Sequence, residues 1–306
     1  MNPGPPATPT IPLSVAQEGL YYHCAMNPRG LAYHEVVSLR RDGPLDGAAL
    51  EAALAEVVGR HDSLRSCFPT AGGSPVLHIN EHRPAPLLAL DLSSLSGREA
   101  ASRAATVVAD LARAPYALDR GPLLRPLLVH FPGEHHRLYL AMHHLIFDGV
   151  SLSRVLLPDL AALYQARREG HHLPLAPAPS YSDYARWQQG WMEGERAQRR
   201  LAYWRHHLSE VPPGPLPWDR DRREGAKGGA GAVPVSVDAA TAGRLGEVAG
   251  HAGASFFQVM AATWALLLAR YAGSGAAVFA TAADLRQRAA FDNLVGYCLT
   301  PIPLRV

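Results

Sequence analysis

Residues 142–151 read MHHLIFDGVS and follow directly on a strand-like run, Arg137–Met142. The apolar strand ends at a histidine pair, and Leu-Ile-Phe then leads through Asp148-Gly149 into helical spacing. Side chains alternate along a strand, so His143 and His144 face opposite ways and at most one can reach a reaction channel. The other is then structural. Asp148, four residues after His144, can pair with an arginine and hold the turn rigid. Gly149 permits close backbone approach, and the helix start offers N–H groups to a developing oxyanion. The competing reading is a packed core histidine beside a helix cap, and spacing alone leaves both open.

Histidine pairs also occur at 135, 171 and 206, so the dipeptide by itself carries little information. His135-His136 falls in a hairpin turn, His171-His172 beside a Pro-rich break, and His206-His207 at a helix end. All three are expected to be solvated.

Outward from the histidine segment, Leu124–Phe131 and Arg137–Met142 read as a hairpin closed by Pro132-Gly133-Glu134. Further upstream, Tyr33–Leu39 reads as a strand, and Asp46 caps a helix whose apolar face is Leu50, Leu54, Val57 and Val58. Leu64–Phe68 and Val76–Ile79 read as two more strands, and Arg98–Arg113 as an Ala-rich helix. Downstream, Leu152, Val155, Leu156, Leu160 and Leu163 mark a helix kinked or interrupted at Pro158. The Pro-rich stretch 171–180 suggests a lobe boundary, and helices follow it through Trp204. Residues 211–234 read as a surface connection. Helices at 239–249 and 255–271 and strands at 278–281 and 302–306 complete an α/β or α+β pattern.

Composition excludes several classes. With 306 residues, 48% hydrophobic and 18% charged, the chain can bury a large core, and two modest lobes are expected. Lys+Arg 29 against Asp+Glu 27 gives a net charge of +2, with the basic residues scattered, which disfavours nucleic acid and anionic membranes as partners. The cysteines are 3 in number, with no CxxC, and indicate neither a disulfide framework nor a zinc site. The N-terminus lacks the basic and apolar regions of a signal peptide, and the most apolar helix is short of a membrane span. A soluble, cytoplasmic protein is expected.

MHHLIFDGVS resembles the HHxxxDG core of the condensation domains of nonribosomal peptide synthetases. Other motifs of that family stand in the family's order: LSVAQEGLYYH (13–23), RHDSLRSCF (60–68), YSDYARW (181–187) and VGYCLTPIPLR (295–305). In the last of these Cys298 stands where an aromatic is usual, and Thr300 where asparagine is usual. The resemblance runs through nearly the whole chain. It implies two chloramphenicol acetyltransferase-like α+β lobes in a V shape: an N-terminal lobe, 1–175, carrying HHxxxDG, and a C-terminal lobe, 176–306. Family members continue past the last motif, so the second lobe is expected to be incomplete. With the start at Met1, the donor is expected to arrive from another protein.

The resemblance further implies amide formation between a carrier-bound acyl thioester and a carrier-bound amine, with phosphopantetheine arms delivering both and no cofactor of the domain's own. The partners are donor and acceptor carrier proteins, and the domain is a monomer or part of a multidomain synthetase. His144 is the expected catalytic group, acting as base or by positioning. His143 and Asp148 are the supports beside it, Gly149 a backbone residue near the oxyanion, and Ser151 a possible extra hydroxyl. Arg286, in ATAADLR, is the expected partner of Asp148, and Arg60 and Arg65 are read as structural. A GxSxG elbow is missing and the cysteines lack a partner motif, which fits direct attack without an acyl-enzyme. Two alternatives stand beside this reading. One is an acyl-CoA-dependent acyltransferase, disfavoured because no DFGWG-like segment is present. The other is a non-catalytic domain that binds carriers. A metal site at His143, His144 and Asp148 is disfavoured because adjacent strand residues diverge.

Overall fold

The strand that delivers the histidine pair lies inside a four-stranded sheet. The computed structural model describes residues 10–81, 86–209, 231 and 233–306. The sheet is built from β1 (His34–Asp42), β2 (Leu88–Asp91), β3 (Leu124–Phe131) and β4 (His135–His143), in the order β1-β4-β3-β2. Strands β1 and β4 are antiparallel with His34 opposite His143 and Glu35 opposite Met142. The β3–β4 hairpin pairs Leu124 with Met142 and Phe131 with His135. Its turn is tight because Gly133 (φ 75°) and Glu134 (φ 56°) both take left-handed backbone. β2 runs parallel to β3, which requires a crossover, and α3 (Gly97–Arg113) supplies it. Ser96 and Glu99 close its first turn as a capping box.

Period-two alternation sorts β4 between two cores. Leu138, Leu140 and Met142 pack with Leu54 and Val57 of α2 (Gly47–Arg60), and with Leu160 and Leu163 of α4 (Leu157–Arg168). Tyr139 turns the other way, onto Leu127, Val129 and the Ala100/Ala104 face of α3. Each buried Leu or Val contributes roughly 1.5–3 kcal/mol. Helices thus cover both faces, which is why β4 reads as a continuous apolar run.

Asp46 caps α2 as expected, its side chain accepting the Ala49 N–H at 2.9 Å. Elsewhere the structure departs from the sequence expectations. Asp62–Arg65 form a 3-10 turn, and only Ser66–Cys67 pair with His78–Ile79. Leu64, Cys67 and Phe68 are all buried, a three-to-four spacing that suits a turn better than a strand. The helix expected to be kinked or interrupted at Pro158 changes its winding just before it. A helical turn at Gly149–Ser151 and a π-helical stretch at Leu152–Leu156 lead into α4, and Pro158 sits in the first turn of α4. The hairpin's histidine pair stays at the surface as expected, although strand β4 already begins at His135: His135 is 53% exposed and pairs with Asp42 at 2.7 Å, and the half-buried His136 has its Nδ1 2.9 Å from His130 Nδ1.

The chain falls into two units, residues 1–198 with 284–300 and residues 199–283 with 301–306. The first takes in 176–198 and 284–300, placed by the sequence in the second lobe. The packing explains this. α5 (Tyr181–Met192) buries Tyr181 and Tyr184 completely, and Tyr181 Oη lies 2.8 Å from Ser14 Oγ at the head of α1 (Val15–Met26). α6 (Glu195–Leu208) leads onward. The second unit contains α7 (Ala239–His251), capped by Asp238, and α8 (Phe256–Ala272), started by a Ser255/Gln258 capping box. β5 (Val278–Asp284) pairs with β6 (Leu299–Arg305). Most of the expected surface connection, residues 211–230 and 232, lies outside the described residues. No single helix among the described residues is long and apolar enough to cross a membrane.

Candidate active site

β4 ends at His143, and His144 opens a 3-10 turn, His144–Ile146. The His144 N–H still donates to Tyr33 O at 3.0 Å, so the two histidines keep the strand's alternation and leave in opposite directions. His143 is almost fully buried, its ring edge-on to His34 and Tyr116. Its Nδ1 accepts the Leu145 N–H at 3.2 Å, and its Nε2 faces Cys24 Sγ at 3.7 Å. An accepting Nδ1 assigns the proton of the neutral ring to Nε2. Burial, reinforced by charge on His34 and His144, pushes the His143 imidazolium down to about 3.

His144 has the opposite arrangement. Its Nδ1 lies 3.3 Å from the Phe147 carbonyl oxygen, which can only accept, so Nδ1 carries the proton and Nε2 the lone pair. The ring stacks on Phe147 at 4.9 Å, with Tyr33 and Tyr297 edge-on. Its side chain is 22% exposed, and Glu35 Oε1 lies 3.6 Å from Nε2. A held ring with an accessible lone pair can accept or hold a proton on a substrate.

Asp148 caps the turn that follows. Its Oδ1 accepts the Ser151 N–H at 2.7 Å, and its Oδ2 the Cys298 N–H at 2.9 Å. Arg286 Nη2 lies 3.0 Å from both carboxylate oxygens, and both side chains are buried. Arg286 is itself held by Asp284 at 2.8 Å and by Leu294 O at 3.1 Å. Removing Arg286 would leave the Asp148 carboxylate buried without a cation, whereas removing Asp148 would leave Arg286 with Asp284 alone.

The Ser151 hydroxyl, considered a candidate for the reaction cleft, is committed inward. It donates to Asp148 Oδ1 at 2.8 Å or Gly296 O at 2.9 Å, and accepts from Gly296 N at 3.1 Å and Arg286 at 2.8 Å. The Ser151 N–H is likewise taken by the cap and is not free for an oxyanion. Gly149 is exposed, with no atom within 4 Å of where a Cβ would stand, which leaves room for a reactant at its backbone. Arg60 binds Asp159 at 2.9 Å together with His61 at 3.0 Å, and Arg65 donates to Asn80 O at 2.6 Å. Both tie secondary structure together away from His144.

Gly296 fits only as glycine. Its φ is 154°, and a Cβ would come 2.0 Å from the Tyr181 ring. Tyr181 Oη in turn donates to Tyr297 O at 2.6 Å, so a buried phenol fixes the residue whose ring flanks His144. Burial raises the Cys298 and Cys24 thiols, and Cys24 faces an N–H of His143 rather than a base, so neither is set up as a nucleophile. Among the described residues no group of three His, Cys, Asp or Glu could hold a metal ion. Sequence reasoning missed Glu35, Tyr33, Phe147, Tyr181 and Tyr297. The β1–β4 register, which sets Glu35 beside Met142, is the signal that would have found Glu35.

Comparison with known proteins places these features in a family. The family described as Condensation domain matches residues 8–306. Phosphinothricin tripeptide synthetase PhsC of Streptomyces viridochromogenes is 34% identical over 99% of this chain and 29% of its own length. The first condensation domain of the calcium-dependent antibiotic synthetase, solved with a substrate analogue, superposes with a TM-score of 0.79 at 27% identity, over 98% of this chain and 70% of that one. The X-domain from teicoplanin biosynthesis, solved in complex with OxyB, gives a TM-score of 0.82 at 30% identity, over 100% of this chain and 66% of that one. The chain spans less than a third of the length of the synthetase it matches.

Proposed function

The chain belongs to the condensation-domain family, and from that premise we propose that it joins a carrier-bound acyl thioester to the amine of a carrier-bound acceptor, forming an amide in nonribosomal peptide or hybrid polyketide-peptide biosynthesis. Its mixed helix and strand fold is that of condensation domains, the chloramphenicol acetyltransferase-like fold. The observation that carries the reading is the accessible Nε2 lone pair of His144, fixed by the Phe147 carbonyl.

The acceptor nitrogen attacks the thioester carbon, and a C–N bond forms. His144 Nε2 takes the proton that the nitrogen sheds. The C–S bond then breaks, and the departing thiolate takes that proton, leaving an amide and a free carrier thiol. His143 stays neutral and holds the turn. Asp148 and Arg286 keep the backbone rigid, and Gly149 lets the thioester approach. Donor and acceptor carrier proteins present their phosphopantetheine arms, with no cofactor of the domain's own, in the cytoplasm.

The test is to mix the protein with one acyl-loaded and one aminoacyl-loaded carrier and follow both by mass spectrometry. One amide and one free thiol per turnover are expected. Carriers that bind but stay loaded would overturn the reading in favour of a second one, a domain that holds partner proteins. The X-domain solved with OxyB gives that alternative its support.

A further inference from the structure

Glu35 stands at the His144 end of a β1 face that is apolar through its middle and closes at its far end with the exposed Arg41. In β1 its face continues through Val37 and Leu39, and across the pairing it meets Met142 and Leu140, all of which pack in the main core. His144 is the diagonal neighbour two residues beyond Met142, on the same side of the sheet, within reach of a long side chain. Packing gives no reason for a carboxylate there. Its partner among the described residues is His144, with Oε1 3.6 Å from Nε2 and the side chain 50% exposed. That distance is beyond a hydrogen bond.

The chemistry of the gap is specific. The His144 proton is on Nδ1, so Nε2 is an acceptor, and a carboxylate oxygen is an acceptor too. The two acceptors stand 3.6 Å apart on partly exposed side chains, and among the described residues no donor is bonded to either. A group with several N–H donors and a positive charge satisfies both at once, whereas a hydroxyl has a single proton to give. An α-amino group has an ordinary pKa of about 7.7–8.0, so near neutrality it arrives largely as ammonium.

We propose that Glu35 is a specificity-determining residue that seats the acceptor's ammonium against His144 and selects an amine-bearing acceptor over its neutral isostere. The ammonium gives one N–H to Glu35 Oε1 and one to His144 Nε2. Its first proton leaves to water on the exposed side of Glu35, and the resulting amine is already aimed at the thioester. This rests on the proposed role of His144 and adds the residue that orients the nucleophile.

The test is a binding measurement, so it does not depend on turnover. Calorimetric titrations compare non-hydrolysable glycyl-aminopantetheine with its hydroxyacetyl counterpart. The wild-type protein should prefer the ammonium compound by on the order of threefold to fivefold at low salt, the range for a partly exposed ion pair, with the preference shrinking at high salt. Glu35→Gln should bind both compounds alike while its circular dichroism and melting curve stay those of the wild type. Equal or absent binding of the two compounds by the wild type, or a preference that survives in Glu35→Gln, would overturn the proposal. A preference for the ammonium compound without amide formation in the two-carrier reaction would instead sink the catalytic reading and leave Glu35 as an ammonium-binding residue.

Discussion

His143 and His144 are neighbours in the chain and carry their protons on opposite ring nitrogens. Nδ1 of His143 accepts from the Leu145 N–H, whereas Nδ1 of His144 faces the Phe147 carbonyl. Strand alternation sends the two rings to opposite sides, and the 3-10 turn that begins at His144 folds a different backbone group over each. One imidazole is therefore sealed, neutral and bound to the frame. The other keeps an exposed lone pair. A histidine pair that looks redundant in sequence is a division of labour in the structure.

Nitrogen-resolved imidazole NMR at pH 7.5 checks this directly. His143 should appear as the Nε2–H tautomer and His144 as the Nδ1–H tautomer. Finding the same tautomer in both would contradict the arrangement.

Burial of His143 also sets a pH dependence. Its imidazolium lies at about 3 in the fold, against a reference near 6.5 for an unfolded chain. Between these values the unfolded chain binds the extra proton, so this contribution is complete above about pH 6.5 and is lost as pH falls toward 3, with a slope of at most about 1.4 kcal/mol per pH unit. Urea unfolding from pH 7.5 to 4.5 should show a shallower slope in His143→Asn than in the wild type. Identical slopes would place the proton elsewhere.

Much of this was legible in the sequence because it rests on local signals. The Asp46 cap, the Pro-Gly-Glu hairpin and the alternation across His143-His144 each follow from a few adjacent residues. Arg286 could be matched to Asp148 through a recognisable motif, although 138 residues separate them. What stayed hidden depends on register and on distant packing. Glu35 reaches His144 only because β1 pairs with β4 in one frame, and periodicity within a single strand does not set that frame. The Tyr181–Gly296–Tyr297 contact joins two segments more than a hundred residues apart. Leu64–Phe68 was misread because its apolar residues also satisfy a strand's composition, and only their burial showed the turn.

The buried Asp148–Arg286 pair governs the integrity of the site. Arg286→Ala should cost about 3–5 kcal/mol, since it leaves the Asp148 carboxylate buried without a cation, and Asp148→Ala should cost less, since Arg286 keeps Asp284 at 2.8 Å. The double variant should cost less than the sum of the two. Denaturant titration measures this, and single variants as stable as the wild type would refute the role given to the pair.

Gly296→Ala should be destabilised by at least about 1–3 kcal/mol, because its new methyl group enters the space of the Tyr181 ring. Differential scanning calorimetry of that variant is the check. An unchanged melting temperature would mean that the ring and the glycine are not in contact.

The most direct test of the account is the rate of amide formation between two loaded carriers in the presence of His144→Ala. The rate should fall at least about a hundredfold, the scale of proton transfer or positioning by one imidazole, while the melting temperature stays that of the wild type. Turnover at the wild-type rate in that variant would contradict the claim that His144 acts on the reacting nitrogen.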